Sequence, residues 1–295
     1  MGCWRGIIVT LAIVLCSAAN AQSVSVVDDN GRTVTLDGPA RRIVSLAPSL
    51  TELLFVAGAG NRIVGVSEYS DYPPQAQGIP IVGRYDLLDM EAIVGYAPDL
   101  IVAWRSGNPQ AAVQRLIDLG FNVYIAEPRT LLSIAEEIEK FATLAGTQET
   151  GQAASQYFRE QLMAIGSQYL TSTKISVFYQ VWNEPLISVG GDELINDIIT
   201  LCGGHNIFSD LGLAPKVSIE AVLERDPALI IASGMDIARP EWLDDWRRWP
   251  QLRAVANEAL FFIPPDLVQR HSLRVLSGAL QMCSQIESVR HPQAR

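Results

Sequence analysis

One stretch of this sequence occurs twice. Met90–Trp104, MEAIVGYAPDLIVAW, aligns without a gap on Ile219–Ser233, IEAVLERDPALIIAS; six of the fifteen positions are identical and four more exchange one aliphatic residue for another. Both copies read as a short helix opened by Glu, a Pro stop and a buried strand. A looser match, Leu53–Ile63 (LLFVAGAGNRI) with Ile198–Ile207 (IITLCGGHNI), falls in the same order. A supersecondary unit repeated in this way predicts two similar lobes. Clefts between lobes are where small ligands bind.

The 295 residues suffice for two domains of ordinary size. Short Val/Ile runs alternate with helical patterns along both halves. Ile43–Leu46, Ile63–Val66, Leu100–Ala103 and Val123–Ala126 read as strands of the first lobe. Ile175–Gln180, the repeated strand and Leu260–Pro264 read as strands of the second, followed by a last helix over Leu273–Val289. The expected class is α/β with a central, mainly parallel sheet in each lobe. Ser49-Leu50-Thr51-Glu52 has the form of a capping box opening a helix over Leu50–Ala57. Glu149–Leu170 is long, polar and free of proline, and the α/β pattern restarts directly after it. It is read as one long bridging helix rather than a surface helix of the first lobe. The expected division is a leader at 1–21, an N-terminal lobe at 22–147, the bridge at 148–171 and a C-terminal lobe at 172–295. Trp242, Trp246 and Trp249 form a stripe expected to pack a helix on the second lobe.

The N-terminus carries an address. Arg5 precedes an apolar run, Gly6–Leu15, and small residues ending Ala19-Asn20-Ala21, a signal peptide with a cleavage site after Ala21. Lipidation at Cys16 is the weaker fit, because Leu15 is large for the position before a lipidated cysteine. Export leaves Cys202 and Cys283 as an even pair in an oxidising compartment, where a disulfide is expected. A metal site would need more Cys or His nearby than His205, and two free thiols are unusual outside the cell. The net charge of -10, without a Lys/Arg cluster, argues against nucleic acid as a partner. Chemistry-bearing motifs are missing too. The three histidines, His205, His271 and His291, stand far apart, and no HExxH, CxxC or G-x-S-x-G occurs. The expectation is a binding protein, not an enzyme, with neither cofactor nor metal site of its own.

Arg42–Val66, RIVSLAPSLTELLFVAGAGNRIVGV, resembles the opening of the periplasmic substrate-binding proteins of ABC importers for corrinoids, haem and ferric siderophores. Ser67–Gln77, SEYSDYPPQAQ, and Ile101–Asn108, IVAWRSGN, are similar more narrowly to the cobalamin (vitamin B12) binders. The resemblance runs from about Arg41 to Glu287. It implies two lobes joined by one long helix, little movement on binding, and a monomer that delivers its ligand to a membrane permease dimer. It also implies ligand contacts at Tyr72 in the DYPP turn, Trp104, Tyr85, Trp182 in VWNEPL, and Asp266 with Arg270 in a D-x-x-x-R segment. Glu91 and Glu220, one per lobe, match the glutamates that pair with permease arginines. Ala214, in LAPKVS, stands where the cobalamin binders have tryptophan, so the cleft is expected to be more open on that side. Flat aromatic surfaces suit the apolar face of a corrin, and polar side chains suit its amide rim. Haem or a ferric siderophore is the alternative ligand. For an anionic chelate Arg84, Arg105, Arg270 and Arg274 are the candidates, and His271 stands where it can approach a metal-bearing ligand.

Overall fold

The computed structural model describes residues 23–234 and 238–291. The leader, its cleavage site and Cys16 lie outside the described residues. In the first lobe a four-stranded parallel sheet has the order Ile63–Val66, Ile43–Ser45, Leu100–Trp104, Val123–Ala126. The second lobe repeats it with Gly204–Asn206, Ile175–Asn183, Leu229–Ala232 and Leu260–Phe262, again parallel. Counted along the chain within each sheet, both run second, first, third, fourth. Lobe two adds one strand, Leu186–Ser188, which folds back antiparallel on the far end of Ile175–Asn183. The repeated segments are the helix Met90–Gly95 with Leu100–Trp104, and the helix Ile219–Arg225 with Leu229–Ala232. Each helix is capped the same way. The Asp89 carboxylate accepts from the Ala92 N–H at 3.0 Å, and the Ser218 hydroxyl from the Ala221 N–H at 3.2 Å.

The strands read as unbroken apolar runs because both faces of each sheet are covered. In lobe one, Ile43, Leu100, Val102 and Tyr124 face one way; Val44, Ile101, Ala103 and Val123 face the other; all are buried. The expected bridge is a helix over Gln148–Ser167. Its Phe158, Leu162 and Ile165 sit in an apolar interior continuous with Leu50 and Phe141 of lobe one and with Val177 and Ile198 of lobe two. The lobes therefore share a core across the bridge. Opening them as rigid halves would expose side chains worth about 1.5–3 kcal/mol each, a cost that opposes large hinge motion. Cys202 and Cys283 are joined by a disulfide, with Cα atoms 4.7 Å apart.

Two local expectations are corrected. The helix over Pro48–Val56 has Ala47 as N-cap, without a side-chain cap bond, and Pro48 in its first turn. The capping box is not formed, because Glu52 is turned toward lobe two. The tryptophan stripe lies on a 3-10 helix, Glu241–Arg248. It does pack on lobe two: the Trp246 indole donates to Gln180 Oε1 at 2.7 Å and meets the Phe178 ring edge-on. The structure adds a short hairpin, Gly83–Arg84/Leu87–Leu88, absent from the sequence expectations because it has too few residues to show a period.

Candidate functional site

A cleft of about 650 Å³ lies between the carboxyl ends of the two sheets. In open α/β sheets this is the end at which ligands bind. Lobe one supplies an aromatic wall of Tyr69, Tyr85 and Trp104, and lobe two a polar one of Asp266, Gln269, Arg270 and His271.

The aromatic wall is built by the loop after the central strand. Trp104 ends that strand, and the Gly107 backbone lies against its indole; a Cβ on Gly107 would stand 1.8 Å from the ring. Asn108, 4% exposed, secures three segments at once. Its Oδ1 accepts from the Trp104 N–H at 2.6 Å, and its Nδ2 donates to the carbonyls of Leu46 at 2.9 Å and Tyr85 at 2.7 Å. The two aromatics it fixes stand with ring centroids 6.2 Å apart. Tyr85 is the tip of the hairpin that begins at Gly83, whose φ of 112° and contact with the Leu87 carbonyl admit only glycine. Tyr69 sits at φ 64° and is 69% exposed. A bulky residue in the left-handed region is held there at a cost, and here it holds a ring out into the cleft.

The polar wall is tied to lobe one by a network centred on Glu52, whose side chain is 2% exposed. Glu52 Oε1 accepts from Arg270 Nη1 at 3.1 Å and Arg274 Nη1 at 3.2 Å, and Oε2 from the Ser272 hydroxyl at 2.5 Å. Arg270 also pairs with Asp71 at 2.8 Å and Asp266 at 3.0 Å, and Arg274 with Asp266 at 3.4 Å. The Arg274 guanidinium lies 4.7 Å over the Tyr72 ring. Charges taken from water need such partners. The network closes the floor of the cleft from both lobes.

Of the expected contacts, Tyr85, Trp104, Asp266 and Arg270 line one cavity, and Tyr72 stands beside it under Arg274. Trp182 does not line it. Its indole donates to the Glu184 carbonyl at 3.0 Å, in the hairpin that follows the long strand of lobe two. Ala214 is exposed on a segment bonded to that hairpin's return, through Gly190 N–H to Leu213 at 2.7 Å and Ser188 N–H to Pro215 at 3.0 Å. Tyr69 and Glu52 were missed: one depends on an unusual φ, the other on a partner more than two hundred residues away. Arg105 does not line the cleft; its guanidinium donates to the Asp29 carbonyl at 3.3 Å. Glu91 and Glu220 are exposed and open the two equivalent helices. The Glu220 carboxyl is held below the usual range by its own backbone N–H and the Ser218 hydroxyl. Among the described residues no three His, Cys, Asp or Glu side chains converge as a metal site. A larger groove of about 1000 Å³ runs along the bridge, but aliphatic Leu131, Leu132, Leu162, Met163 and Leu170 dominate its lining.

The periplasmic binding protein family model matches residues 43–267. The chain belongs to that family, which is one of binding proteins. A vitamin B12-binding protein of Vibrio cholerae is 38% identical over 251 residues, 84% of this chain and 90% of its own. One of Vibrio campbellii is 37% identical over 256 residues, 86% of this chain and 92% of its own. The crystal structure of the periplasmic vitamin B12 binding protein of Vibrio cholerae superposes with a TM-score of 0.78 at 36% identity, covering 86% of this chain and 99% of that one. A periplasmic heme binding protein of Vibrio cholerae superposes at 0.73 with 23% identity, covering 82% and 97%; that likeness is one of fold. Among the described residues no helix is long and apolar enough to cross a membrane.

Proposed function

We propose that this periplasmic binding protein is not an enzyme but captures cobalamin or a related corrinoid in its inter-lobe cleft and delivers it to an ABC importer permease. The observation that carries the reading is the contrast between the walls. Flat Tyr69, Tyr85 and Trp104 face a polar wall whose charges are already balanced. Such a pair suits a large, apolar-faced ring with neutral amide arms. It does not suit an anionic iron chelate, because each candidate arginine is engaged: Arg84 by Asp86 at 2.8 Å, Arg270 and Arg274 by Glu52 and Asp266, Arg105 by a backbone carbonyl. The vitamin B12-binding relatives point the same way.

Tyr72, Tyr85, Trp104, Asp266 and Arg270 are the proposed ligand contacts, joined by Tyr69. Trp182 serves only a ligand whose arms reach past the cavity to the hairpin. Lobes at 22–147 and 172–295 carry these two walls, with 148–171 between them. Glu91 and Glu220 are the proposed docking pair for a two-fold permease, which a single chain meets with one glutamate per lobe. The mature protein acts in the periplasm after cleavage at Ala21. The deciding experiment is calorimetric titration of the purified protein with cyanocobalamin, cobinamide and haem. Saturable binding of a corrinoid is expected, and binding of haem alone would overturn the assignment.

A further inference from the structure

We propose that His271 is an axial ligand for the cobalt of a corrinoid that arrives with water on one axial position. The inference rests on the proposed function and deepens it, for the cleft then sorts corrinoids by what their metal carries. His271 lies in the polar wall between Arg270 and Ser272, whose side chains are both engaged by Glu52. Arg270 also lines the cavity but is held by Glu52, Asp71 and Asp266, whereas His271 faces the cavity without such a partner among the described residues. Its ring nitrogens have no hydrogen-bond partner among the described residues, so a nitrogen lone pair is available to a metal in the cleft.

The opposite wall decides what kind of metal it meets. The Trp104 and Tyr85 rings are tilted 47° to each other, and a planar macrocycle stacked on either one would turn one axial position toward lobe two. No second donor converges with His271 among the described residues. One lone imidazole cannot hold a free ion, but it completes a metal whose other positions the macrocycle fills. The exchange is a ligand substitution. The imidazole lone pair forms the Co–N bond, the aqua ligand leaves as water, and cobalt(III) is neither oxidised nor reduced. Cyanocobalamin, with both axial positions filled, is held by the cleft walls alone.

The test is visible spectroscopy and affinity measured on aquacobalamin and cyanocobalamin, with the wild type, His271→Ala and His271→Gln. The wild type is expected to convert the spectrum of aquacobalamin into that of an imidazole complex. It should bind the aqua form roughly tenfold or more tightly than the cyano form. Both variants should lose the spectral change, and their affinity ratio should fall toward one. An unchanged aquacobalamin spectrum in a wild type that binds cyanocobalamin overturns the ligation while leaving the corrinoid reading standing. A spectral change that survives in both variants also overturns it. Failure of the wild type to bind either corrinoid sinks the corrinoid reading and the ligation with it.

Discussion

Asn108 shapes the cleft without lining it. Its one amide holds the Trp104 backbone, the Tyr85 carbonyl and the first strand's exit at Leu46. Asn108→Ala leaves those groups without their partner in a dry site, a cost of about 1–3 kcal/mol in stability. It should also weaken corrinoid binding, and Asn108→Asp should not rescue it, since the aspartate keeps the acceptor for Trp104 but turns a carboxylate oxygen on the Leu46 and Tyr85 carbonyls. Denaturant melts and calorimetry on the two variants check this; wild-type affinity in either would refute the positioning role. The resemblance singled out AWRSGN, and the structure places its Trp104 on the cleft wall. That Gly107 makes room for the indole and Asn108 carries the scaffold was not legible, because both roles depend on atoms brought in from elsewhere in the chain.

The helix Pro48–Val56 shows how far a local pattern can mislead. Ser49 and Glu52 have capping-box spacing, yet Glu52 leaves its own helix for Arg270, Arg274 and Ser272. Two guanidinium groups and a hydroxyl outcompete one backbone N–H. Glu52→Gln strips the charge that balances both arginines and should cost about 3 kcal/mol. Because the group is buried, this loss should change little between low and high salt, which urea titrations at two ionic strengths can measure. The helix Leu131–Ala145 carries the opposite case. Burial, then the nearby Asp29 carboxylate, raises the Glu137 pKa from 4.5 to about 7. The folded state thus holds this proton more tightly than the unfolded chain. Its contribution is complete below about pH 4.5 and is lost as pH rises toward 7, roughly 3 kcal/mol in all. Glu137→Gln should flatten stability across that window, and a wild-type slope persisting in the variant would discount Glu137 as its source.

The duplication read at Met90 and Ile219 proves to be whole-lobe: both sheets have the same strand order, and the repeated unit is the third strand of each. Periodicity carried that much, since long apolar runs and Gly stops survive in both copies. The asymmetry was only half visible. Trp104 against Ser233 marks the lobe with the aromatic wall, while the floor that joins the lobes rests on ion pairs no period reveals. The parts still alike, Glu91 and Glu220, lead to a test at this scale. Reversing both charges should abolish transport in a reconstituted importer yet leave ligand affinity intact; lost affinity or intact transport would refute the docking pair.

The disulfide sets a further property of the molecule. Between Cys202 and Cys283 lie Glu220, Asp266, Arg270, His271 and Arg274, so the lobe-two residues that line the cleft and the proposed docking glutamate sit inside one covalent loop. A single protease cut within it, for instance at exposed Leu211–Ala214, cannot release a fragment. The nicked chain should keep its intact mass plus one water until a reductant is added, then split in two. The oxidised protein can therefore be cut there without coming apart.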